Sequence, residues 1–241
     1  MPNCFLNLHR LTKCASTFFA SRIFVIFWLG FALFITNQYA TGIDFNLLHE
    51  SLLNGTNGSV GTDADFAEWR NLLESAKKQP VAGQLKLVND FFNHKVKFES
   101  DAQIWNKNDY WATPMQTLSM KRGDCEDYSI AKYFTLAAAG VPEEKLRLMY
   151  VQALQYNQAH MVLAYYPSPE AEPLVLDNLN HEILPASART DLRPVYSLAR
   201  RDTESHKEVQ DVSARMREAM RQTRMSVWQD LIKRAQKEGF D

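Results

Sequence analysis

The chain has 241 residues with a formal net charge of −1, 46% hydrophobic and 23% charged residues, and three cysteines. That near-neutral balance lacks the basic excess of a nucleic-acid binder. The length supports one substantial core and is short for two, and three thiols are too few for a disulfide scaffold.

Residues 1–40 read as an export signal. Arg10, Lys13 and Arg22 stand among residues 1–22 without an acid, and Ile23 to Ile35 carries no charge before Thr36-Asn37-Gln38-Tyr39-Ala40. The apolar run falls short of the roughly 20 residues of a membrane span. Cleavage is expected after about Ala40, which makes the mature protein an exported one. An uncleaved inner-membrane anchor is the alternative, because Gln38 is a poor partner for Ala40 at a cleavage site. Cys4 and Cys14 leave with the signal, so Cys125 becomes the sole mature thiol. Exported proteins use cysteine mainly in pairs, which makes an unpaired one an accident, an intermolecular link or a nucleophile.

Residues 41–61 are polar and rich in Asn and Gly, and read as a flexible leader. The sequons at Asn54 and Asn57 matter only in a eukaryotic secretory route. Thr62 and Asp65 form a capping box ahead of Phe66, Trp69, Leu72, Leu73 and Ala76 at helical spacing. Pro80 ends that helix, and a second is expected from near Gly83, with Leu87, Val88, Phe91 and Phe92 on one face. His94 falls beyond it as a solvated loop residue. Asn106 to Pro114 is loop chemistry, with Pro114 blocking a helix. Trp105, Tyr110 and Trp111 there either line a cleft or simply pack, and Gln116 or Trp111 are candidate holders of an oxyanion.

The stretch Gly123-Asp124-Cys125-Glu126-Asp127-Tyr128 turns a loop into a helix. Gly123 permits the turn, Asp124 is a good N-cap and Asp127 completes a capping box. Cys125 then sits at the first helical position, where free N–H groups and the dipole favour a thiolate. The helix, apolar on nearly every side, runs to Ala139 with Gly140 as its stop. Strands follow at 146–151, 160–166 and 174–177, an α+β layout with a helix ahead of an antiparallel meander. His160 opens the second strand and Asp177 closes the third, so antiparallel pairing brings them to one end of the sheet. Cys125, His160 and Asp177 are thus nucleophile, base and orienting acid; His181, in a loop, is the competing base. Arg189 to Ser197 finishes the sheet of a domain spanning 62–199. An amphipathic helical segment, 200–241, follows, with an apolar stripe through Val209, Val212, Met216, Met220, Val227, Trp228, Leu231 and Ile232.

Residues 105–198 resemble the bacterial transglutaminase-like cysteine proteinases of the LapG type. The resemblance rests on Trp111-x-Thr113-Pro114, Gly123 to Tyr128, Ala131 to Phe134, His160 to Leu163, Leu176 to Leu179 and Arg193 to Ser197. Lys121-Arg122 replaces a glycine-rich approach, and Gln116 replaces a glutamate. The resemblance implies a papain/transglutaminase-like fold, a central helix carrying the nucleophile against an antiparallel sheet, with Cys125, His160 and Asp177 as its triad. It further implies a calcium-dependent periplasmic protease that clips the N-terminal region of a large repeat-rich surface adhesin, typically at paired alanines. An inner-membrane receptor for cyclic di-GMP sequesters such proteases. The residues bear on calcium independently. One fixed charge at ~6 Å in an effective dielectric of ~40 costs a thiolate about 1.4 kcal/mol. Asp124, Glu126 and Asp127 together outweigh the helix terminus unless a cation neutralises them; on the residues alone a solvated acidic cap serves equally well, and with the resemblance those three are the expected Ca²⁺ ligands. The same fold also admits a transglutaminase or amidase acting on side-chain amides, or a non-catalytic binding module.

Overall fold

The computed structural model of the chain describes residues 43–54, 61–198 and 214–240. The segment 1–40 expected to be an export signal, residues 55–60 of the sequon segment, and Val209 and Val212 of the tail stripe lie outside the described residues. No helix among the described residues is long and apolar enough to cross a membrane.

Helix α1 (Phe45–Leu53) corrects the expectation of a flexible leader over 41–61. The Asp44 carboxylate caps it, accepting from the N–H groups of Asn46 and Leu47. Leu48 and Leu52, four residues apart and so on one face, are fully buried. Composition misled here because the two leucine pairs are embedded in polar sequence. Helix α2 (Asp63–Ala76) begins with the expected Thr62–Asp65 capping box. Helix α3 (Val81–Lys95) starts directly after Pro80, earlier than Gly83, and its last turn contains His94, which is therefore not a loop residue.

A two-residue strand β1 (Lys97–Phe98) and a short helix α4 (Asp101–Ile104) lead into the 105–113 loop. Pro114 does not block a helix but starts one, α5 (Pro114–Met120), at the first position, where its missing N–H has no cost. Lys121 ends α5 in a left-handed conformation, φ 54°. Strand β2 (Arg122–Gly123) then pairs parallel with β1.

Helix α6 (Cys125–Ala138) is the central element, with residues 127–136 all buried. Gly140, at φ 97°, follows its C-cap, and the Val141 N–H closes back onto the Leu136 carbonyl. The sheet is five-stranded and antiparallel, in the order β6-β5-β4-β3-β7. Its strands are β3 (Leu146–Ala153), β4 (Gln158–Tyr165), β5 (Leu174–Leu176), β6 (Leu184–Pro185) and β7 (Leu192–Leu198). The β3–β4 hairpin turns through Asn157 in the left-handed region, φ 48°. The last strand joins the sheet beside β3, across from the β6 edge.

Helix α7 (Ala214–Glu238) packs into the same core as α1 and α6, so the 62–199 boundary does not enclose the hydrophobic interior. Trp228 is fully buried and meets the Tyr133 ring edge-on at 5.3 Å. The Asp44 N–H donates to the Gly239 carbonyl at 3.0 Å, joining the start of α1 to the end of α7.

Candidate active site

Cys125 is the first residue of α6, preceded by Asp124 in extended conformation as N-cap. Asp127, fully buried one turn on, reaches back: its Oδ2 accepts from the Asp124 N–H at 3.4 Å, and its Oδ1 accepts from the Ala112 N–H at 2.8 Å. Residue 123 is held to glycine by this arrangement, because a Cβ there would stand 2.7 Å from the Asp127 Cβ. The Cys125 thiol donates to Glu126 Oε2 at 2.8 Å. The sulfur is also hydrogen-bonded by the backbone N–H of Met161, the residue after His160. Burial pushes the thiol well above its usual range; the charges of Glu126 and Asp124 push the same way, and the Met161 N–H opposes them.

His160 and Asp177, both buried, lie at the same end of the sheet, on neighbouring strand termini. His160 Nε2 and Asp177 Oδ1 are 2.8 Å apart. Burial pushes the Asp177 carboxyl up, but His160, the Leu179 N–H and Arg189 outweigh it and hold the carboxyl at about 2. An ionised Asp177 only accepts, so Nε2 of the imidazole is the donor of this bond and Nδ1 is the ring nitrogen left for other partners. The Asp177 main-chain carbonyl accepts from Lys132 Nζ at 3.1 Å and Asn93 Nδ2 at 2.8 Å, anchoring the strand end to α6 and α3. Lys132 is itself buried, and burial brings it down to about 7 despite the charges of Asp177 and Asp90.

The three carboxylates expected to bind a cation divide. Asp124 and Asp127 cluster with Asp101, their oxygens all within 4.8 Å of one another, whereas Glu126 groups with Asp124 and the Cys125 sulfur. Asp101 went unrecognised in the sequence; its only local signal is an acid opening a short helix after Ser100. Its Oδ2 accepts from the Tyr110 N–H at 2.6 Å. Its Oδ1 and the Oδ1 of Asp124 are buried with no hydrogen-bond partner among the described residues. Burial raises all three acids, with neighbouring negative charges adding to it, Asp101 to about 6. Unpartnered, clustered carboxylate oxygens are the donor set of a hard cation such as Ca²⁺. The residues present fit that ion.

Other candidates fall elsewhere. Gln116 is committed to the Thr113 N–H and the Tyr110 hydroxyl, within the α5 capping box, and so is not free to hold an oxyanion. Trp111 is buried with its Nε1 unpartnered among the described residues. Trp105 and Tyr110 pack on each other at 4.7 Å, in a small cluster with Ile104, Ala112 and Met120. His181 is exposed and faces His94 at 6.0 Å, leaving the Asp177 carboxylate to His160. Helix α7 reaches the site through Arg224, whose guanidinium lies over the rings of Trp111 and Tyr150 and pairs with Asp109.

A thiol at the mouth of a central helix, with a histidine–aspartate pair on the adjoining antiparallel sheet, defines a thiol hydrolase of papain/transglutaminase-like architecture. Residues 67–216 match the family described as bacterial transglutaminase-like cysteine proteinase. Among solved structures, Legionella pneumophila LapG is 40% identical, with a TM-score of 0.63, covering 81% of this chain and 99% of that one. Calcium-bound LapG of the same organism is also 40% identical, with a TM-score of 0.58, covering 76% of this chain and 99% of that one. EGTA-treated LapG is 38% identical, with a TM-score of 0.63, covering 81% and 100%. No curated protein matches. The chain belongs to the bacterial transglutaminase-like cysteine proteinases and is a cysteine protease.

Proposed function

We propose that the protein is a calcium-dependent periplasmic endopeptidase with Cys125 as nucleophile, His160 as base and Asp177 as orienter. Its substrate in this reading is the N-terminal region of a large repeat-rich surface adhesin, whose cleavage releases the adhesin and promotes biofilm dispersal. An inner-membrane cyclic-di-GMP receptor acts as the sequestering partner. The observation that carries the reading is the His160–Asp177 pair at 2.8 Å, beside a thiol bonded to the next residue's N–H.

The chemistry follows from the atoms. His160 Nδ1 takes the Cys125 proton while Nε2–H stays on Asp177. The sulfur attacks the scissile carbonyl carbon, and the backbone N–H at the first position of α6, which has no partner within the helix, is the expected donor to the developing oxyanion. As the C–N bond breaks, the imidazolium returns the proton to the leaving amine. Water, deprotonated by the same imidazole, then hydrolyses the thioester. Asp101, Asp124 and Asp127, with Glu126 at their edge, are the residues that would hold Ca²⁺. The bound ion supplies positive charge that offsets the carboxylates opposing the thiolate. Support for calcium comes from the buried unpartnered oxygens here, and from LapG structures described as calcium-bound and EGTA-treated.

The test is co-incubation with the recombinant N-terminal segment of the organism's largest repeat-rich adhesin. Cleavage is expected in calcium, and neither in excess EGTA nor with Cys125→Ala. Full turnover in EGTA overturns the calcium dependence, and turnover by Cys125→Ala overturns the nucleophile.

A further inference from the structure

Asp177 makes more contacts than an orienting acid needs. Its Oδ1 accepts from His160 Nε2 and from the Leu179 N–H at 3.0 Å. Its Oδ2 accepts from Arg189 Nη2 at 2.7 Å. The Arg189 side chain is 2% exposed, and that of Asp177 fully buried. Arg189 is locked in turn: Nε and Nη2 donate to the two oxygens of Asp191 at 2.9 and 2.8 Å, a bidentate fork. The Asp191 side chain is 47% exposed, so the chain of contacts runs from solvent through the guanidinium to the imidazole. Arg189 follows β6 at the end of a single 3-10 turn, Ala186–Ala188, whose hydrogen bonding sets where the guanidinium enters.

The two oxygens of a carboxylate interchange on rotation about the Cβ–Cγ bond. Donors on Oδ1 alone leave that rotation soft; a buried cation on Oδ2 stops it. Removing the guanidinium strands Oδ2 in the interior without a donor, so the group turns or takes a proton. Either change loosens the hydrogen bond that fixes the imidazole ring.

We propose that Arg189 is a positioning residue of the proteolytic site, holding the Asp177 carboxylate, and through it the His160 ring, against the Cys125 thiol. The proposal rests on the catalytic reading given above. Its experiment compares Arg189→Met and Arg189→Lys with the unaltered enzyme on the adhesin N-terminal segment in calcium, with Cys125→Ala alongside. Arg189→Met is expected to lower kcat about 100-fold with KM within about twofold, since misorientation by about an ångström is worth that much. Arg189→Lys keeps a charge without the fork, and is expected to lose about tenfold in kcat at unchanged KM. In proton NMR, the downfield His160 Nε2–H resonance of the unaltered enzyme is expected to shift or broaden in Arg189→Met. An unaltered kcat in Arg189→Met, a loss confined to KM, or an unmoved ring-proton signal overturns the proposal. If Arg189→Met does not fold, Arg189→Lys decides, with unaltered kcat as the overturning result. Cleavage by Cys125→Ala is a separate failure, that of the nucleophile itself.

Discussion

Replacing Lys132 with Met isolates the cost of a cation held inside the core beneath the Asp177 strand end. Lys132 is 1% exposed, its Nζ donates to the Asp177 carbonyl at 3.1 Å, and it stands 5.8 Å from the Tyr128 ring centre. Burial lowers it to about 7. An unfolded lysine titrates near 10.4, so at pH 7 the folded state forgoes about 4 kcal/mol of protonation free energy. The depressed value belongs to a base, so the penalty is largest at and below pH 7 and fades as pH rises toward 10. Methionine matches the side chain in length and removes the penalty, while losing a hydrogen bond worth about 1 kcal/mol. Asn93 still satisfies the Asp177 carbonyl. Lys132→Met is therefore expected to be the more stable protein at pH 7 by about 2–3 kcal/mol, with about 2 kcal/mol of that advantage gone by pH 9. Urea melts of both proteins from pH 6 to 9 measure it. Taking the difference cancels the acidic cluster and Cys125, which titrate in both. A variant less stable at every pH, by an amount that does not change with pH, refutes the claim that the lysine is a desolvated cation.

Two further outcomes are expected. Asp101→Asn should weaken calcium binding by about tenfold or more in isothermal titration, because it replaces a charged oxygen of the cluster by a neutral one; unchanged affinity removes Asp101 from the site. Trp228→Ala should cost about 3–5 kcal/mol in urea unfolding, since the side chain is wholly buried against Tyr133 and Phe134; a loss under about 1 kcal/mol contradicts α7 as part of the core.

What the sequence disclosed divides along lines of range. Helix α6, its Asp124–Asp127 cap and its Gly140 stop are set by residues within one turn of each other, and all were readable. So was the meeting of His160 with Asp177, because antiparallel pairing fixes which strand ends are neighbours. Asp101 reaches Asp124 and Asp127 only because β1 and β2 pair just before it, a contact that no local periodicity announces. Arg189 was hidden for the same reason, its value arising from a buried carboxylate twelve residues away. Pro114 and the leucines of α1 were misjudged on composition: a proline ends a helix or begins one, and its position decides which. Gln116 resembled a polar cleft residue, yet its side-chain amide is occupied in holding α5 to the loop before it, through the Thr113 N–H and the Tyr110 hydroxyl.

The final helix is also what fastens the loop running over the acidic cluster. Arg234 Nη2 donates to the Trp111 carbonyl at 2.8 Å, the Thr113 hydroxyl donates to Glu238 at 2.7 Å, and Arg224 holds Asp109. That loop in turn delivers the N–H groups of Tyr110 and Ala112 to Asp101 and Asp127. Helix α7 thus supplies the fastenings for a centre whose own residues lie far from it in the sequence. A substitution in α7 that frees Arg234 or Glu238 is therefore expected to slacken the strap over the acids while leaving thiol, imidazole and carboxylates themselves unaltered.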